Sequence, residues 1–145
     1  MEIERKYLVK ELPEDYRNYP KCEIEQGYLC TNPVIRIRKE NDSYYLTYKS
    51  TGFLARQEYN LPLTPESYEH LKKKSDGCLI KKTRYLIPYS NYTIELDLFH
   101  GTNNGLLLAE VEFSSQEEAT SFSPPDWFLE DVTFSETYQN CNLIH

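Results

Sequence analysis

What the chain lacks narrows its class before any motif is read. It has no N-terminal apolar stretch of the signal-peptide kind and no apolar run long enough to cross a bilayer. Neither a signal peptide nor a membrane helix is therefore expected, and the expected location is cytoplasmic. It lacks an excess of positive charge: 16 Lys and Arg stand against 23 Asp and Glu, and the net −7 argues against generic binding to nucleic acid or an anionic membrane. The four cysteines, Cys22, Cys30, Cys78 and Cys141, form no C-x-x-C pair and no repeated spacing, so they read as scattered reduced thiols. His70, His100 and His145 are equally isolated, which argues against a His/Cys metal centre. No repeat, low-complexity segment or shift in composition divides the chain, so residues 1–145 are read as a single domain. With 39% hydrophobic and 27% charged residues it is globular rather than disordered, and long enough to bury a core.

What is present is mostly strand pattern. Alternation predicts strands at 2–9, 23–30, 34–40, 43–50, about 54–61, 78–88, 92–100 and 106–113, with turns at 31–33, Asn41-Asp42 and Ser90-Asn91. Thr64-Pro65 is a helix start, with Thr64 as N-cap and Pro65 in the first position, and that helix is expected to end near Asp76-Gly77. Ser115 caps a short helix reaching about Phe122, stopped by Pro124-Pro125, and 134–144 reads as a final helix. About eight strands and three helices result.

The strand faces carry the chemistry. Side chains alternate across a strand, so Glu2, Glu4 and Lys6 share one face. The same spacing recurs in Arg36 and Arg38, Arg56 and Glu58, Lys82 and Arg84, Glu95 and Asp97, and Glu110 and Glu112, with Lys49 alone on its strand. For one strand a solvated polar face is the ordinary reading. Here the signs segregate: 36–49 and 82–84 are basic, while 95–97 and 110–112 are acidic. Seven basic groups face seven acidic ones, and the excess of acid lies entirely elsewhere in the chain. The opposite faces are rich in Ile, Leu, Val and Tyr, which the helices can cover. The expectation is an α+β fold: an eight-stranded antiparallel β-barrel tunnel with a charged interior, covered outside by a few helices. Charges inside such a barrel need partners, because desolvating a lone ion costs at least several kcal/mol. A polyanion with divalent metal supplies them, since Arg and Lys suit phosphoryl oxygens and clustered carboxylates suit Mg²⁺ or Mn²⁺.

Read together, Glu2-x-Glu4-x-Lys6, Arg36-x-Arg38, Tyr48-Lys49, Arg56-x-Glu58, Lys82-x-Arg84-Tyr85, Glu95-x-Asp97 and Leu108-Ala109-Glu110-Val111-Glu112-Phe113 resemble the CYTH superfamily, the triphosphate tunnel metalloenzymes. The tail, with Trp127, Asp131-Val132-Thr133 and Tyr138-x-Asn140, is similar to the ending of short bacterial members, so the resemblance covers essentially the whole chain. It implies a metal-dependent enzyme acting on a small-molecule triphosphate. For short bacterial chains the implied activity is inorganic triphosphatase, with nucleoside triphosphates as further substrates. By similarity Lys6, Arg36, Arg38, Lys49, Lys82 and Arg84 hold the triphosphate, joined by Arg56. Glu2, Glu4, Glu110 and Glu112 hold metal, with Glu58, Glu95 and Asp97 as further ligands, for two Mg²⁺ or Mn²⁺ ions in all.

Lys6, Glu4 and Tyr28 are the expected catalytic residues, Tyr28 as a partner of Lys6 that positions or deprotonates water, with an ordinary strand tyrosine as the plainer reading. One departure stands out: Glu58 is followed at the second position by Asn60 where many relatives carry an acid. Two alternatives remain open, an adenylate cyclase of the same fold and a polyphosphate- or nucleotide-binding module without turnover. The aromatics outside the motifs are expected in the core or against helices, with a homodimer interface as the other possibility.

Overall fold

The computed structural model describes all 145 residues. In chain order the strands are β1 (Glu2–Val9), β2 (Lys21–Thr31), β3 (Val34–Glu40), β4 (Ser43–Lys49), β5 (Ala55–Arg56), β6 (Glu58–Pro62), β7 (Asp76–Tyr89), β8 (Tyr92–His100), β9 (Leu107–Glu112) and β10 (Phe128–Asp131). Two α-helices, α1 (Pro65–Lys72) and α2 (Gln116–Ser121), lie between them. All pairings are antiparallel and the sheet runs β10-β1-β9-β8-β7-β2-β3-β4-β6, with β5 returning to β1.

Closure depends on the segment 55–62. Its β6 part pairs with β4 through Lys49↔Glu58, and its β5 part pairs with β1 through Glu2↔Arg56. Gln57 makes the bend, its carbonyl accepting from the Ser50 amide and its own amide donating to Ser50 Oγ. Counted as one bent strand, this segment completes a ring of eight. β10 is a ninth strand outside the ring, laid on the far half of the same β1 edge.

Two apolar regions flank the charged interior. The larger one lies on the outer face, where Ile3, Tyr7, Ile94, Leu96, Ala109 and Val111 meet Ala119, Phe122 and Phe128 from α2 and the segment after it. The barrel is thus turned inside out, as the alternation predicts, with its oily face against covering segments. The second cluster holds Tyr28, Val34, Ile80, Phe99 and Leu108, joined by Val132, Cys141 and Ile144 of the tail. These barrel residues share strand parity with Gln26, Arg36, Lys82, Asp97 and Glu110, so they fill one end of the barrel from within. The tail packs into that end, with the Ile144 carbonyl accepting from the Cys78 amide and the Leu143 carbonyl from Asn103 Nδ2. One mouth of the tunnel is therefore plugged, and it is not open at both ends.

Two local expectations differ from the structure, and one strand is not among the expected elements. Residues 134–144 form no α-helix; they make two single 3₁₀ turns, Glu136–Tyr138 and Asn140–Asn142. Their apolar residues are spent on the plug rather than on one helical stripe. β10 is not foreshadowed by alternation, since only Phe128 of its four residues is buried. Helix α1 starts on its Thr64 cap as expected, with a reciprocal Thr64–Ser67 capping box, but stops at Lys72. The residues beyond are drawn into β7, which begins at Asp76.

Candidate active site

The interior holds a cavity of about 430 Å³ in which only 4 of 21 lining residues are hydrophobic, so it suits a charged ligand rather than an oily one. Glu2, Glu4 and Lys6 of β1 line it together, as do Arg36 and Arg38 of β3, Lys49 of β4, Arg56 of β5 and Glu58 of β6. Lys82 and Arg84 of β7, Glu95 of β8, and Glu110 and Glu112 of β9 complete the charged wall, with Tyr28 of β2 beside them.

Asp97 is the exception. It is fully buried and does not reach the cavity; Lys82 Nζ donates to its Oδ2 at 2.8 Å, and Arg84 Nε and Nη2 donate to its two oxygens at 2.8 and 2.9 Å. The expected metal ligand is thus a counter-ion behind the wall, because both its oxygens are already committed to cations. Those two cations hold its carboxyl below the usual range despite burial, which pushes the other way.

The remaining charges divide sharply by partner. Lys49 Nζ pairs with Glu2 at 2.9 Å and Glu58 at 3.3 Å, Lys6 Nζ with Glu110 at 3.4 Å, and Arg84 with Glu95 at 2.9 Å and Glu110 at 3.2 Å. Arg38 Nε donates to Gln26 Oε1 at 2.8 Å. Arg36 and Arg56 have no acid within salt-bridge distance, and the Nε of each is buried without any acceptor. Buried donors are nearly always satisfied, so two unsatisfied guanidinium groups facing one cavity mark a site for an anion.

The acidic side has a matching imbalance. Glu4 and Glu112 sit directly opposite each other across β1 and β9, and neither has a cation partner. Burial, then Glu4, pushes Glu2 up to about 8, while its hydrogen-bonded neighbour Glu58 is drawn down to about 2 by that bond and by Lys49, against the upward push of burial. Glu95 is pushed up to about 7, chiefly by burial, with Arg84 opposing and Glu110 and Asp97 adding to it. Carboxylates crowded in this way fit a hard divalent cation through their oxygens. They form no ready-made cage of three ligands. A hard divalent cation held here by one or two carboxylates would draw its remaining oxygen ligands from substrate phosphates or water.

The lysines differ from each other. Lys82 is 1% exposed, and burial draws its ammonium down to about 8. Lys6 is raised above its ordinary value, Glu110 and Glu4 outweighing burial, and its Nζ donates to the Tyr138 carbonyl at 3.1 Å. Tyr28 and Lys6 both face the cavity but no hydrogen bond joins them; the Tyr28 hydroxyl instead accepts from Gln26 Nε2 at 3.1 Å. Asn60 also lines the cavity, with its oxygen accepting from Thr47 Oγ1 at 2.6 Å and its amide donating to Glu58 at 3.1 Å. Its amide thereby orients Glu58, while its oxygen keeps a second lone pair beyond the Thr47 bond.

Several lining residues escape the charge pattern. Glu40 and Tyr45 share strand parity with Arg38 and Lys49, and extending the alternation by one step would have found them. Gln139, Asn140 and Cys141 come from the tail, where no alternation exists to point inward.

A closed antiparallel barrel whose interior pairs a basic wall with an acidic one, and leaves two arginines unpaired, defines a polyanion-holding tunnel protein. The CYTH domain model matches residues 1–140, and the chain belongs to that family. It is 39% identical over 144 residues to an inorganic triphosphatase of Nitrosomonas europaea, covering 96% of this chain and 93% of the relative. It is 36% identical over 149 residues to an inorganic triphosphatase of Acetivibrio thermocellus, covering 99% and 92%. The crystal structure of an inorganic triphosphatase superposes with a TM-score of 0.73 at 36% identity, covering 99% of this chain and 94% of the other.

Proposed function

We propose that the tunnel hydrolyses a triphosphate, with inorganic tripolyphosphate as the preferred substrate and pyrophosphate and orthophosphate as products. The observation that carries this reading is the pair of buried arginines, Arg36 and Arg56, left without acid partners in a cavity where the other cations are paired or hydrogen-bonded. Full-length similarity to two inorganic triphosphatases supports it.

The residues assign themselves to tasks by charge and partner. Arg36, Arg38 and Arg56 receive phosphoryl oxygens, and Arg84, fixed by Asp97, adds a field that does not move. Glu2, Glu4, Glu58 and Glu112 are the groups that would hold Mg²⁺ or Mn²⁺, two ions in all as the family resemblance implies, with Glu95 and Glu110 nearby. When bound, such an ion neutralises phosphoryl charge and acidifies a water. Attack by water on the terminal phosphorus breaks the bridging P–O bond. The water's proton passes to a base and the bridging electron pair leaves with pyrophosphate. Lys82, drawn down to about 8, is the tunnel lysine able to take that proton at mildly alkaline pH. Lys6 stays charged and serves as an electrostatic contact.

The test is phosphorus NMR of the protein incubated with tripolyphosphate or ATP plus Mg²⁺ or Mn²⁺. Orthophosphate and pyrophosphate from tripolyphosphate are expected. Cyclic AMP and pyrophosphate from ATP would establish a cyclase instead, and tight binding without product a binding module. Glu4→Gln and Arg38→Ala are expected to lose activity; full activity in either overturns the assignment of the tunnel as the site.

A further inference from the structure

The tail supplies the cavity with polar side chains that the barrel strands do not, and one of them is held between two strand residues. Asn140, in the tail turn Asn140–Asn142, reaches the cavity between Lys82 and Gln26. Donor and acceptor chemistry fixes the direction of its amide. Arg38 Nε can only donate, and it donates to Gln26 Oε1 at 2.8 Å. The amide nitrogen of Gln26 is thereby turned the other way, donating to the Tyr28 hydroxyl at 3.1 Å and to Asn140 Oδ1 at 3.4 Å. Lys82 Nζ, which in either protonation state has N–H groups for both Asp97 and this amide, lies 3.1 Å from the same Oδ1. Two donors converge on that oxygen, so Asn140 Nδ2 is the free end, and it meets no acceptor of the protein.

We propose that Asn140 Nδ2 donates to the terminal phosphoryl group of a linear polyphosphate, while Asn140 Oδ1 holds Lys82 aimed at that same group. The proposal rests on the triphosphatase reading and adds the direction in which substrate lies. Phosphoryl oxygens only accept hydrogen bonds, so a neutral amide with two free N–H groups is a matched contact that places no further charge beside Lys6 and Lys82. The apolar plug of Tyr28, Ile80, Phe99, Leu108 and Ile144 lies at this end, so the chain cannot run past it. The site therefore takes polyphosphates by an unesterified end, seated at the plug, with the rest of the chain directed toward the open mouth.

The test compares Asn140→Asp with Asn140→Ala. Dissociation constants for tripolyphosphate are measured by calorimetry without metal, kcat and KM with Mg²⁺, and unfolding midpoints on both variants. Loss of a hydrogen bond to a charged group predicts binding about 10- to 100-fold weaker for the alanine variant. The aspartate variant keeps the shape but turns an acceptor toward phosphate, and it is expected to be the weaker binder of the two. A packing role alone predicts the reverse order, because Asp is the closer isostere, and that order overturns the proposal. In wild-type protein the Asn140 side-chain NH₂ resonances, assigned through the backbone, are expected to shift on titration with tripolyphosphate; unshifted resonances at saturation overturn it even where both variants misfold. A wild-type protein that neither binds nor hydrolyses tripolyphosphate removes the parent reading, and this one with it. An active wild type with unaltered variants removes this one alone.

Discussion

Arg36 and Asp97 are both buried, yet their charges serve different ends. Asp97 is enclosed by Lys82 and Arg84, so removing it strands two cations out of water. Asp97→Ala is expected to destabilise the fold by about 3–5 kcal/mol, the range for breaking a buried pair, read from denaturant unfolding. Arg36 has no such partner, and its desolvation is not offset within the protein. Arg36→Met keeps the length of the stem and removes the charge, so the unfolding midpoint is expected to hold or rise while KM for tripolyphosphate rises roughly 10- to 100-fold. A midpoint that falls as far as in Asp97→Ala would mean that Arg36 is a structural cation. The sequence announces both residues with one signal, a charge at i, i+2 on a strand, and the spacing cannot separate them. Depth along the barrel decides which charge meets substrate, and depth is set by the stagger of strands against one another. Asp97 faces inward like Glu95, yet only Glu95 reaches the cavity.

Elements built on alternation were legible from the residues, and elements built on contact were not. β1, β3, β7, β8 and β9 alternate charged and apolar side chains because one face meets the tunnel and the other meets covering segments, so pattern and environment agree. The tail has no such agreement. Cys141 and Ile144 enter the plug, Asn140 enters the tunnel, and Asn142 Nδ2 donates to the Glu136 carbonyl, so neighbouring residues answer to different surroundings and no period survives. What fixes the tail is a close approach to β7. Gly77 has φ +62°, and a Cβ there would collide with the Ile144 carbonyl oxygen. Gly77→Ala therefore combines an unfavourable left-handed conformation with a steric clash, and a loss of at least about 1 kcal/mol in unfolding free energy is expected. Because the tail carries Asn140, the same variant is expected to lower activity and to expose residues 132–145 to limited proteolysis. Wild-type stability and protection in Gly77→Ala would show that the tail is not docked as described.

At the scale of the whole molecule, the ligand-free barrel works against its own charge. A carboxyl whose folded pKa lies above its unfolded value binds more protons in the folded state, so stability falls as pH rises between the two values. Glu2, pushed from 4.5 up to about 8 by burial and Glu4, and Glu95, pushed up to about 7 mainly by burial, both act in this sense. Glu110, Asp97 and Glu58 are held low, so their contributions are complete above about pH 4.5 and are lost only below it. Lys82, lowered from 10.5 to about 8 by burial, restores stability only as pH climbs from about 8 toward 10.5. The ligand-free protein is therefore expected to be most stable near pH 5 and to weaken steadily to pH 8, followed as the denaturant midpoint at constant ionic strength. Glu2→Gln removes the largest rising carboxyl and should flatten that decline. Mg²⁺ with tripolyphosphate favours the ionised carboxylates and the charged arginines together, so the bound state is expected to gain most where the free state is weakest. At a ligand concentration of about 100 times Kd the gain is about 2.7 kcal/mol. A ligand-free midpoint that rises from pH 5 to pH 8, or a Glu2→Gln profile that still declines as the wild type does, would contradict the view that crowded carboxylates keep this tunnel waiting for its metal and its substrate.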